Sequence, residues 1–68
     1  VNAVGPGPTA TPMTEASRAD PARYAEMVGA IPMGRYGRPE EIAEVALFLA
    51  SARASFVTGQ LWCADGGY

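Results

Sequence analysis

The 68-residue sequence contains no histidine and no lysine, and Cys63 is its single cysteine. Without histidine there is no imidazole to serve as a general base, and a zinc site loses its commonest nitrogen ligand, so no metal is expected. One thiol cannot close an internal disulfide, so no covalent staple supports a chain this short. No apolar run approaches the roughly 18 residues of a membrane-spanning helix. The N-terminus lacks the basic-then-apolar pattern of a signal peptide. Together with the lone thiol, these absences favour a reducing, cytoplasmic setting with no membrane partner. Five arginines stand against seven acidic residues, for a net charge of −2. They are scattered at 18, 23, 35, 38 and 53, which leaves no basic stripe for a nucleic acid.

Large apolar side chains are scarce as well. Of the 33 hydrophobic residues 13 are alanine, and 14 further positions are glycine or proline. Ordering the chain costs about 1.5 kcal/mol per residue, which a core this thin offsets poorly.

The elements nevertheless read clearly. Val1 to Gly5 is a short β-branched strand stopped by Gly5-Pro6-Gly7-Pro8. Residues 6–38 form a long connection with short helical pieces. Thr11-Pro12 and Asp20-Pro21 both look like helix starts, with proline at the first helical position. The second of these pieces should stop at Gly29. Residues 39–51 form the strongest helix: Pro39 opens it, Glu40 and Glu41 sit on the positive end of its dipole, and Ile42, Val45, Ala46 and Leu49 recur at helical spacing. Residues 56–64 read as a second strand, interrupted at Gly59 and ended by Asp65-Gly66-Gly67. Cys63, next to Trp62 in that strand, reads as a buried structural thiol.

Strand, lid, helix, strand implies a parallel pair joined by a right-handed crossover. Parallel strands are normally buried on both faces, and Leu61 and Trp62 point to opposite faces of the last strand. The pattern asks for neighbours beyond these elements. It reads as the C-terminal piece of a larger α/β protein that begins inside a strand.

Three strings then resemble one family. Asn2-Ala3-Val4-Gly5-Pro6-Gly7 with Thr11 is similar to the N-A-x-x-P-G-x-x-x-T segment of the short-chain dehydrogenase/reductases. Gly34-Arg35-Tyr36-Gly37-Arg38-Pro39-Glu40-Glu41-Ile42-Ala43 resembles that family's G-R-x-G-x-P-E-E-I-A helix start. Ser55-Phe56-Val57-Thr58-Gly59-Gln60, followed by Asp65-Gly66-Gly67, resembles its S-x-x-T-G-Q…D-G-G ending.

The resemblance implies a Rossmann-like, doubly wound parallel sheet of which residues 1–68 are roughly the last quarter. It implies NAD or NADP as cofactor and a small-molecule carbonyl or alcohol as substrate. Pro6, Gly7, Thr9 and Thr11 would lie beside the cofactor, the backbone of Thr9 at the nicotinamide carboxamide and the hydroxyl of Thr11 at carboxamide or phosphate. Met13, Tyr24, Met27, Val28 and Met33 would wall the substrate lid. Leu61 and Trp62 would lie in the interface of a homo-oligomer, a tetramer or dimer. The family's catalytic Ser, Tyr and Lys would lie upstream, so no catalytic residue is expected in this chain.

Plainer readings stand beside these. Thr11 reads equally as a helix cap, the lid residues as ordinary helix packing, and Arg35 as half of a structural ion pair. Glu40, Glu41 and Glu44 read as a solvated helix face. The whole chain reads alternatively as a truncated, non-enzymatic relative with a structural role.

Overall fold

The computed structural model describes all residues, Val1–Tyr68. Strand β1 (Ala3–Pro6) leads through a 3-10 turn (Pro12–Thr14) into helices α1 (Glu15–Ala19), α2 (Pro21–Ala30) and α3 (Pro39–Ala50). A second 3-10 turn (Ala52–Ala54) precedes strand β2 (Leu61–Ala64). The two strands pair in parallel, with Ala3 opposite Leu61, Val4 opposite Trp62, Gly5 opposite Cys63 and Pro6 opposite Ala64.

Local chemistry sets each boundary. The Asp20 side chain accepts hydrogen bonds from the N–H groups of Ala22 (3.0 Å) and Arg23 (3.3 Å), capping α2 ahead of Pro21. α2 runs through Gly29, where its expected stop lay, and ends one residue later. Pro32 is the reason: it pushes the preceding Ile31 out of the helical region, to ψ 116. α3 ends at Ala50, and Ser51 caps it by donating its hydroxyl to the Phe48 carbonyl at 2.8 Å.

The last strand is shorter than its apolar sequence suggests. Residues 56–60 are turn and loop, with Gly59 at φ 71, and the ladder starts only at Leu61. The N–H of Val57 turns back to the Ala54 carbonyl (3.1 Å), while the Gly59 N–H donates to the Val1 carbonyl and the Gln60 carbonyl accepts from the Ala3 N–H, both at 2.8 Å. Asn2 bridges the gap, donating to the Val57 carbonyl (3.2 Å) and accepting from the Gln60 N–H (2.9 Å).

α3 covers one face of this two-stranded sheet, with the Phe48 ring stacked on Trp62 at 5.6 Å. Gly5, Leu61 and Cys63 share the opposite face: a methyl added at Gly5 would sit 3.4 Å from the Cys63 sulfur and 3.5 Å from Leu61. That face carries no covering layer, and Cys63 is exposed rather than buried. The result is a slab of 43 × 21 × 14 Å with a radius of gyration of 13.9 Å. A compact domain of this length would have a radius near 11 Å. Only Ile31 and Ala54 are buried.

Ile31, the more deeply buried of the two, lies where the carboxyl end of β2 meets the end of α2. Asp65 organises a turn, its side chain accepting from the Gly67 N–H (3.0 Å) and its carbonyl from the Tyr68 N–H (3.0 Å). This turn backs onto Ile31-Pro32-Met33, and the Gly66 carbonyl accepts from the Met33 N–H at 3.0 Å. Gly66 lies at φ 63, and a methyl there would stand 2.9 Å from the Ile31 side chain. Ile31 is only 3% exposed, so it has little room to withdraw.

Gly66→Ala therefore combines a left-handed backbone with a clash and should cost about 1–3 kcal/mol in the full-length protein. Gly29→Ala, in a helix with open space around it, should instead be neutral or stabilising by up to about 1 kcal/mol. Paired chemical denaturation curves compare the two, and equal effects would contradict this account of the turn.

Candidate functional site

Three segments meet at the carboxyl ends of the parallel strands. Gly7 packs against Asp65 so closely that a methyl would fall 2.6 Å from the Asp65 Cα. The Gly7 N–H donates to the Ala64 carbonyl at 3.1 Å. On its other side the loop pairs with Gly37, whose N–H donates to the Pro8 carbonyl and whose carbonyl accepts from the Ala10 N–H, both at 2.9 Å. Residues 7–10 are thus held between Asp65 and Gly37.

Within that loop most polar groups find partners. The Thr9 hydroxyl donates to the Gly7 carbonyl at 2.8 Å. The Thr14 hydroxyl donates to the Thr9 carbonyl (2.8 Å) and accepts from the Thr11 N–H (3.1 Å) and from Arg18 Nε (3.0 Å). Arg18 Nη2 donates to the Thr11 carbonyl at 2.9 Å. Two groups are left over. The Thr9 N–H has no partner in the chain, and the Thr11 hydroxyl, although it faces the Thr14 N–H in a capping box, makes no hydrogen bond to it. The N–H of Thr14 goes to the Thr11 carbonyl instead, at 3.0 Å.

Beside the loop lies a cleft of about 440 Å³, bordered by Pro8, Met33, Arg35, Cys63 and Asp65. Arg35 is committed to a two-pronged pair with Glu41, 2.8 and 2.9 Å, that ties the segment before α3 to its first turn. Glu41 also accepts from the Arg38 N–H at 2.8 Å. Hydrogen bonds from the Arg35 guanidinium and the Arg38 backbone hold the Glu41 carboxyl at about 2, below its usual 4.5. The same pair raises Arg35. Glu41 is therefore a pinned group, unlike its exposed neighbours Glu40 and Glu44.

The five lid residues do not form one wall. Met33 borders the cleft, and Met13 stands 93% exposed on the first 3-10 turn. Tyr24 stacks on Tyr36 at 5.7 Å. Met27 lines a separate hollow with Arg23, Tyr36 and Tyr68, and Val28 is half-buried on α2. Leu61 and Trp62 occupy opposite faces of the sheet, Trp62 against Phe48 and Leu61 open. Sequence reasoning did not find Thr14 and Arg18, although a hydroxyl three residues after a threonine at a helix start is a visible capping spacing.

The family model described as enoyl-(acyl carrier protein) reductase matches residues 1–68. The chain belongs to the short-chain dehydrogenase/reductase family. It is 52% identical over 68 residues to a galactitol 2-dehydrogenase (L-tagatose-forming) of Cereibacter sphaeroides, covering 100% of this chain and 27% of that protein. To the 3-oxoacyl-[acyl-carrier-protein] reductase of Thermotoga maritima it is 54% identical over 67 residues, covering 98% of this chain and 26% of the relative. A crystal structure from Agrobacterium tumefaciens with bound NADP superimposes with a TM-score of 0.92 at 49% identity, over 98% of this chain and 27% of that one. The chain thus spans about a quarter of the length of these short-chain dehydrogenase/reductase relatives, and shares their α/β fold with its parallel sheet.

The Arg35–Glu41 pair has a defined pH signature. Because the folded carboxyl lies below its usual value, its stabilising contribution is complete above about pH 4.5 and is lost as pH falls through about 2. Side-chain NMR titration should find Glu41 near 2, returning toward 4.5 in Arg35→Met. A Glu41 value indifferent to that substitution would show that the guanidinium is not the cause.

Proposed function

We propose that this chain is the C-terminal segment of a larger NAD- or NADP-dependent oxidoreductase, supplying the nicotinamide-side loop and part of the substrate cover. The observation that carries the reading is that two groups, the Thr9 N–H and the Thr11 hydroxyl, have no hydrogen-bond partner within the chain, on a loop whose other polar atoms are mostly bonded. They lie at the carboxyl end of a parallel strand, where open α/β sheets bind ligands. A donor and a donor-acceptor two residues apart on one loop suit a carboxamide, which offers one oxygen and one NH₂ group. The residues present therefore fit a nicotinamide cofactor.

When bound, that cofactor would supply the hydride exchanged with a carbonyl or alcohol carbon. The segment's share is binding and orientation. The Thr9 N–H and Thr11 hydroxyl hold the carboxamide, while Pro6 and Gly7 carry the loop past Asp65. Neither group moves a proton in the reaction. The chain has no lysine, so the family's Tyr-Lys pair belongs to another part of the longer protein. Met33 and the residues bordering the cleft would contribute apolar cover for substrate. Near-equal identity to a galactitol dehydrogenase and a 3-oxoacyl reductase argues that this segment serves a shared cofactor geometry more than one substrate.

Thr11→Val in the full-length protein tests the reading, because it keeps shape and removes the hydroxyl. NADPH and NADH affinity, read by nicotinamide fluorescence, should weaken by about three- to a hundredfold, the upper end for a bond to a phosphate. The melting temperature of the cofactor-free protein should barely change, since the Thr14 N–H that the hydroxyl faces is already bonded to the Thr11 carbonyl. Unchanged affinity with a lowered melting temperature would return Thr11 to a purely structural role.

A further inference from the structure

We propose that Arg18, acting with Thr14, is a positioning residue that fixes the Thr11 hydroxyl for the cofactor. The inference rests on the cofactor reading above and adds to it the device that aims the group. A hydroxyl has one hydrogen to donate and two lone pairs to accept with. Thr14 uses all three, its hydrogen directed to the Thr9 carbonyl (2.8 Å) with the Thr11 carbonyl a second acceptor at 3.1 Å, while it accepts from the Thr11 N–H and from Arg18 Nε. Arg18 then reaches the Thr11 carbonyl with Nη2 at 2.9 Å. Both peptide groups flanking the Thr11 side chain are thereby held, the N–H by the Thr14 hydroxyl and the carbonyl by the Thr14 N–H together with Arg18.

Sequence completes the restraint. Pro12 disfavours the α region for the residue before it and biases it toward extended backbone, and Thr11 lies at φ −130, ψ 169. A β-branched side chain has few χ1 choices. With backbone fixed and χ1 restricted, the hydroxyl has few positions left, which reduces the ordering cost of binding.

Arg18 has no rival occupation. It pairs with no carboxylate, unlike Arg35 and Arg38, and it is half-buried. It rises from α1, a five-residue helix too short to be stable by itself. Its guanidinium reaches back across that helix to the loop, spanning seven positions to Thr11. Two forked donors on two oxygens is a task for guanidinium that a point charge performs less well.

The test is a double-mutant cycle in the full-length protein, with NADPH and NADH as the probes. Arg18→Met keeps the apolar stem and should weaken binding about three- to tenfold. On a Thr11→Val background the same change should cost less than about twofold, because the group that Arg18 aims is already gone. Arg18→Lys, which keeps charge but bridges only one oxygen, should fall between wild type and Arg18→Met; it also serves if Arg18→Met does not fold. Thr14→Ser should bind like wild type and Thr14→Val like Arg18→Met. If Arg18→Met leaves affinity unchanged, or costs the same on both backgrounds, the positioning role is overturned while the cofactor reading stands. If Thr11→Val alone leaves affinity unchanged, both fall together.

Discussion

The arrangement depends on one close approach, the glycine turn after β2 seated on Ile31-Pro32-Met33. Gly66 and Gly67 both adopt positive φ, and both lie where a side chain would collide, Gly66 with Ile31 and Gly67 with Pro32. Directly before them Asp65 lies against Gly7, again with no room for a methyl. These contacts bring the end of β1, the end of α2 and the end of β2 to one place. In a slab with almost no buried core, that junction fixes where the loop of Thr9 and Thr11 can stand.

From that junction follows a division of labour along the chain. Backbone bonds to Gly37 and Ala64 and side-chain bonds from Thr14 and Arg18 satisfy the loop internally. The Arg35–Glu41 pair holds the segment carrying Gly37 to the first turn of α3. What remains unsatisfied is small and local, and this is the economy expected of a binding loop on a rigid support. The open Gly5-Leu61-Cys63 face has no such logic within these residues. It is the unpartnered side of a parallel pair.

Much of this was legible in the sequence because it depends on local chemistry. Pro39 with two glutamates and Asp20-Pro21 each specify a boundary through backbone sterics or capping, and the helices start there; the Gly-Pro run after Val4 does not stop the strand where expected, because β1 pairs on through Gly5 and Pro6. Opposite-facing Leu61 and Trp62 follow from strand alternation alone. Other features depend on where distant segments meet. Gly29 was a reasonable stop, but Pro32 governs the end of α2. Residues 56–60 have strand-like side chains but bond to Val1, Asn2 and Ala3 irregularly, partly through side chains, so no ladder forms before Leu61. Asp65-Gly66-Gly67 reads as a strand end, whereas its role against Ile31 requires the fold. The lid methionines share a composition but not a location.

The central claim is that the loop after β1 keeps the Thr9 N–H and the Thr11 hydroxyl free for a nicotinamide cofactor. Amide hydrogen exchange of the full-length protein, with and without saturating NADPH or NADH, tests it residue by residue. The Thr9 amide should exchange readily without cofactor and become protected on binding. The Ala10 amide, already bonded to the Gly37 carbonyl, should be protected in both states. A Thr9 amide whose exchange does not respond to bound cofactor would contradict the account.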